Sequence, residues 1–344
     1  MYQLKKESLS FVFHPPFLIL MIIVLLSSSV ASYSNGPGSP FNAAYAHSAT
    51  IPVGITPYGI KYDPSNDNIY VANARSSTVS VISDSTNSVI DTILVGRIPF
   101  WLEYVPSNNQ VYVTNWLSND VYVISGLTNE VVKAIAVGTR PFGIAYDPTN
   151  NSVYVPNGED HTVSVIDAAT DNVVSTIPFF SGLEGIHIPF IAYSSINDAL
   201  YVSRYLGGGF VSVINAVTNA HVTDIDIPVN GTPLGIDYNP INHNLYVAIS
   251  GSNQVSVIDS ITNTVVGSIA VGANPVDIVY NPTNHNMYVT NSGSDTVSVI
   301  DSATNSVIGS IPTGLSPIGI TYDSSNQHMY VTNLGSNTVT MIHP

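Results

Sequence analysis

The chain has 344 residues, enough for two ordinary domains, yet only 9% of them are charged and none is cysteine, which excludes disulfides, thiolate chemistry and cysteine-bound zinc. Eight Lys and Arg against 23 Asp and Glu give a net charge of −15. That balance excludes nucleic acid as the main partner and leaves the N-terminal segment, if uncleaved, as the route to a membrane.

Lys5 and Lys6 precede an apolar run from Phe17 to Leu26, and small residues follow from Ser27 to Ser32. This order predicts a signal peptide over 1–31, with Ser29-Val30-Ala31 as the small-x-small cleavage site. The apolar run is short for a segment that must cross a hydrocarbon core, which takes about 20 residues. Retention of the whole segment as an anchor is the alternative. Residues 32–46, with Pro37 and Pro40 among Ser, Gly and Ala, predict a flexible leader. The expected location is therefore secreted or cell surface.

From Tyr70 onward one unit recurs, Tyr-Val-x-Asn or a close variant, at Tyr70, Tyr112, Tyr154, Tyr201, Tyr246, Tyr288 and Tyr330. A period of just over 40 residues, made of short alternating runs with no helical pattern, predicts an all-β fold. The expectation is a seven-bladed β-propeller over 47–344, with four antiparallel strands per blade. One unit shows the order: an inner strand Pro275–Tyr280, a second strand Met287–Asn291, a third Thr296–Ile300 and an outer strand Ser306–Ile311. Asp167, Asp259 and Asp301 fall in the turns, where a carboxylate bonds nearby amides. His243 and His285 fall in the turns of the opposite face. The seventh unit stops after its third strand, and the segment Ser48–Pro57 matches the missing fourth in pattern and phase. The N-terminal strand is thus expected to complete the last blade and remove its open edge.

The quartets Tyr112-Val-Thr-Asn115, Tyr288-Val-Thr-Asn291 and Tyr330-Val-Thr-Asn333 resemble the YVTN-type β-propeller repeats. Such repeats occur in archaeal and bacterial cell-surface and surface-layer proteins, so the resemblance implies an exported interaction or structural role. Tyr201-Val-Ser-Arg204 and Tyr246-Val-Ala-Ile249 depart from the pattern, and the join between the third and fourth blades carries extra residues near Phe179 to His187.

Departures from a monotonous repeat locate the candidate site. In a propeller, the loops before each inner strand and those between second and third strands share one face. All four arginines fall in or beside them: Arg75 and Arg204 after the Tyr-Val strands, Arg97 and Arg140 before Pro99 and Pro141. Trp101 stands where other units carry Gly59, Gly143, Gly235 and Gly319, and Trp116 follows Asn115. The expected binding face joins Arg75, Arg97, Arg140 and Arg204, for carboxylate, sulfate or phosphate groups, to Trp101, Trp116, Phe142 and Tyr205, for stacking on rings. A surface glycan of acidic character, a peptide or another envelope protein fits that set. The competing reading pairs these arginines with Glu103, Glu159, Asp160 and Glu184 as loop-ordering contacts.

A catalytic alternative is a metal-assisted lyase or hydrolase at the channel mouth, as in lactonase-type and streptogramin-lyase-type propellers. It requires Glu103, Glu184 and His187 to converge on a divalent cation; outside that alternative no cofactor is expected. Asp237 and Asp277 are further inner-strand carboxylates. No phosphate loop, calcium loop or metalloprotease motif is present. Asn150 and Asn230 head glycosylation acceptor triplets in predicted loops.

Overall fold

Runs of six or seven residues rich in β-branched and aromatic side chains, cut by Asx-rich turns, favour antiparallel ladders closed by tight turns. The computed structural model describes residues 46–178, 188–205 and 208–344, with the side chains of 46–48 outside that description. The described residues form 28 strands in seven four-stranded antiparallel sheets, the blades of a propeller. The expected signal peptide (1–31), the leader apart from Ala46 and the insertion near Phe179 to His187 lie outside the described residues.

Closure follows the expected register. Strand β1 (Ala46–Pro52) pairs with β28 (Thr338–His343), so the last blade runs β1-β28-β27-β26, with β27 at Met329–Asn333 and β26 at Pro317–Tyr322. Ile51 is buried against Val339 and Met341 in that seam.

The Tyr-Val-Thr-Asn quartet has a physical reason at each polar position. The tyrosines are fully buried, and Tyr70, Tyr112, Tyr154, Tyr201, Tyr246 and Tyr330 bridge blades at their hydroxyls. At Tyr246, Asn242 Nδ2 donates to the hydroxyl at 2.9 Å, and the hydroxyl donates to Asn305 Oδ1 of the next blade at 2.7 Å. Asn242 Nδ2 also reaches the next blade directly, at Ser302 O, 2.9 Å. Asn66 with Tyr70 and Asn197 with Tyr201 repeat the arrangement. The threonine stitches neighbouring inner strands. Thr332 Oγ1 accepts from Gly319 N at 2.8 Å and donates to Tyr58 O at 2.6 Å, joining the seventh blade to the first. Thr114 and Thr290 make the same bridge to Phe142 O and Ile318 O. The asparagine braces the third strand of its own blade, as Asn73 Nδ2 does by donating to Ser80 Oγ at 2.9 Å. Asp167, Asp259 and Asp301 accept turn amides, from Ala169, Ile261 and Ala303 respectively.

Candidate functional site

Each inner strand begins on the face that carries the arginine loops and runs inward from a proline. The residue after that proline is Tyr58, Phe100, Phe142, Leu234, Val276 or Ile318 in six of the blades. All six are buried in one apolar cluster, with the Phe100 ring 4.6 Å from Tyr58 and 4.7 Å from Phe142. One position further on, Gly59 packs so tightly on the next blade that a Cβ would come within 2.5 Å of Phe100 O. The chain departs from glycine there at Trp101, Phe190 and Asp277. Trp101 reaches across to Phe190, 4.7 Å away, and stacks on Phe142 at 5.9 Å. Blades 2 to 4 therefore present an aromatic wall.

Charge gathers on the inner strands of blades 1, 2, 5 and 6 of the same ring. Lys61 Nζ pairs with Glu103 Oε1 at 2.7 Å, their side chains 34% and 18% exposed. Asp237 Oδ2 accepts Tyr280 N of the next blade at 2.8 Å, and its Oδ1 accepts Tyr238 N at 2.9 Å. Asp277 Oδ2 accepts Ile320 N at 3.1 Å. These carboxylates cap inner-strand amides that have no ladder partner on the channel side. Burial pushes Asp237 up to about 6, against the amides and Lys61, which pull it down. Burial likewise pushes Asp277 up to about 7, with Asp237 adding to the rise. Burial lowers Lys61, but Glu103, Asp237 and Asp277 together leave it above the ordinary lysine value. Lys61 escaped the sequence reading. Its signal was present, because the equivalent positions hold Glu103, Ala145, Ala192, Asp237, Val279 and Thr321, and Lys61 is the one cation among them.

The rim splits the expected binding residues into two groups. Arg75 and Arg97 are exposed and have no ion-pair partner among the described residues. Their loops also expose Ile55 and Leu117, since Arg75 N donates to Ile55 O and Leu117 N to Arg97 O. Leu315 extends the apolar edge onto the seventh blade. Ile98, beside Arg97, has a φ of 55°, a left-handed conformation that costs a β-branched residue about 1–3 kcal/mol. Trp101 and Tyr205 are half-buried. Arg140 Nε pairs with Glu159 Oε2 at 2.7 Å while its guanidinium lies 4.4 Å over the Trp116 ring.

Three of the expected contacts face inward instead. Trp116 and Phe142 belong to the buried aromatic cluster, and Arg204 is 6% exposed. Arg204 occupies the quartet's asparagine position and does the asparagine's work. Its Nε donates to Ser212 Oγ at 2.7 Å, as Asn73 donates to Ser80, and its other arm pairs with Asp224. Burial raises the Asp224 carboxyl, but bonds from Ser212, Arg204 and His221 outweigh it and hold it below the ordinary range.

Of the metal trio, Glu184 and His187 lie outside the described residues, and Glu103 is engaged by Lys61. Among the described residues, no three His, Cys, Asp or Glu side chains come together as a metal site. Asn230 is exposed. Asn150 spends its amide nitrogen on Tyr154 Oη at 2.8 Å and on Ala216 O of the next blade at 3.2 Å, so a glycan there would displace both bonds. His243 and His285 hold turns through the Tyr238 and Tyr280 hydroxyls.

No family model matches the chain, and no curated protein does. Solved structures match in number, among them hydrazine synthase of Kuenenia stuttgartiensis. The superposition has a TM-score of 0.76 at 17% identity and covers 90% of this chain and 99% of that one. The likeness is one of fold. It establishes the seven-bladed propeller, a scaffold used for ligand binding and for catalysis, and leaves the activity to the site itself.

Proposed function

We propose that this chain is a secreted or surface-displayed interaction propeller that captures an acidic ligand, glycan or peptide, at the rim of its seventh, first and second blades. One observation carries the reading. In a chain of net charge −15, two of the eight cationic residues, Arg75 and Arg97, stand exposed in adjoining loops of one face with no ion-pair partner among the described residues. Unpaired guanidinium groups present a planar fork suited to carboxylate or sulfate, and Ile55, Leu117 and Leu315 give them an apolar border. The resemblance of the quartets to YVTN-type repeats and the signal-like N-terminus support an exported role.

The test measures capture of oligogalacturonate and of oligoglutamate by the protein and by Arg75→Glu/Arg97→Glu. Loss of capture of at least one probe with an unchanged melting temperature is expected. Equal capture by the two proteins discards the rim as the site.

A further inference from the structure

The face opposite the arginine rim is built from the turns between first and second strands and between third and fourth strands. In its fourth and fifth blades those turns expose Ile196, Val217, Ile241 and Ile261, and Val217 is 71% exposed. The four sit in one continuous sector. Asn197 Nδ2 donates to Ser260 O at 2.7 Å, which brings the Ile196 turn against the Ile261 turn, and each of these two blades supplies one inner and one outer turn. Apolar side chains at the tips of polar turns do nothing for the fold, since none of the four packs into a core cluster.

The charge around this sector has one sign. Asp198, Asp259 and Asp301 stand in the same or adjoining turns, and Lys133, on the edge of the second blade, is the one cation on this face among the described residues. Its own ammonium is occupied by Thr170 O and Asn172 Oδ1, both at 3.0 Å. An acidic, apolar surface therefore lies on one side of the ring, and a cationic, apolar surface, Arg75 and Arg97 with Ile55, Leu117 and Leu315, lies on the other. The two match in both terms that govern docking, apolar area and charge sign.

We infer that the occupant of the lower sector is the upper rim of a second copy of this chain, so that the propellers associate head to tail. The inference rests on the reading of the rim as an anion-seeking surface. A contact between two different faces of the same molecule is heterologous: unless its rotation closes a ring, it leaves one rim and one lower sector unfilled at the ends of the assembly. Association then continues with concentration and weakens with salt, because the arginines that align the faces are exposed and the aspartates half-buried, within reach of screening.

Sedimentation velocity of the purified protein over a range of concentrations and salt tests this. The sedimentation coefficient is expected to rise with concentration and to fall back as salt is added. Arg75→Glu/Arg97→Glu alters only the rim and Ile241→Lys/Ile261→Lys only the lower sector, all four at exposed positions. Each variant alone is expected to associate on the order of 100-fold more weakly, because like charges then face each other. Mixing the two variants is expected to restore association, since the new glutamates meet the new lysines. A wild-type protein that stays monomeric at every concentration overturns the stacking, while retained capture of acidic probes would leave the rim reading standing. Association that neither variant weakens, or a mixture that stays monomeric, overturns it as well.

Discussion

Replacing Lys61 with Met removes the cation that Glu103, Asp237 and Asp277 share, and the consequence depends on pH in a defined direction. The Lys61–Glu103 pair lies between the exposed and buried limits, with side chains 34% and 18% exposed, so solvent screening takes back part of the full cost of orphaning a buried charge. At pH 8 the loss is expected to be about 2 kcal/mol, between the ~0–1 of exposed pairs and the ~3–5 of broken buried ones. At pH 5 it should shrink, because Asp237 and Asp277, pushed up to about 6 and about 7, are then largely neutral and no longer need a counter-charge, and the cost that remains is that of the broken pair with Glu103. The same raised values set a trend in the parent protein. Both groups bind protons more tightly folded than unfolded, so their contribution is fully present below the unfolded carboxylate pKa near ~3.9 and is lost as pH rises through 6 and 7. Urea unfolding followed by the fluorescence of Trp101 and Trp116, at pH 5 and at pH 8, measures both effects. An equal loss at the two pH values would refute the electrostatic argument and assign Lys61 a packing role through its aliphatic stem.

Two further outcomes test the inter-strand ties. Arg204→Ala should cost about 2 kcal/mol, between the ~0–1 of exposed pairs and the ~3–5 of broken buried ones, because Arg204 is buried while Asp224 is exposed and keeps its bonds from Ser212 and His221, whereas Arg204→Asn restores the bond that Asn73 makes to Ser80 and should cost less than half as much; equal losses in urea unfolding would contradict the shared role. Ile51→Ala should cost about 2–5 kcal/mol and speed hydrogen exchange along β1 and β28 before any other blade, and uniform exchange across blades would count against the N-terminal seam as the closing joint.

The repeat made the scaffold readable because each blade carries its own strand periodicity and turn chemistry, and because the unit truncated at Pro344 has its complement at Ser48–Pro57. Position within a repeat assigns a residue to one face or the other. It does not say which residues point outward, as the buried Trp116, Phe142 and Arg204 show. Phe142 follows an inner-strand proline, as Tyr58 and Phe100 do, and those positions close on one another from several blades, a contact between residues about 40 apart that no single unit displays. Arg204 looked like a displaced functional cation, and its partner Asp224 becomes apparent only once the outer strand is laid beside the third, with Ser212 opposite Asp224. Lys61 was hidden for the converse reason: alone in its strand it reads as a solvated lysine, and the carboxylates that define it come from blades 2, 5 and 6. Asn150 matched a modification triplet while serving a bond repeated in the other blades.

Ligand capture at the rim of the seventh, first and second blades has a footprint that can be read loop by loop. Hydrogen–deuterium exchange with and without a captured acidic probe tests it most directly. Slowed exchange is expected in the rim loops around 54–56, 74–77, 96–98 and 116–119, with the turns of the opposite face unchanged when protein is dilute. Protection confined to the channel strands, or absent from the loops of Arg75 and Arg97, would contradict it.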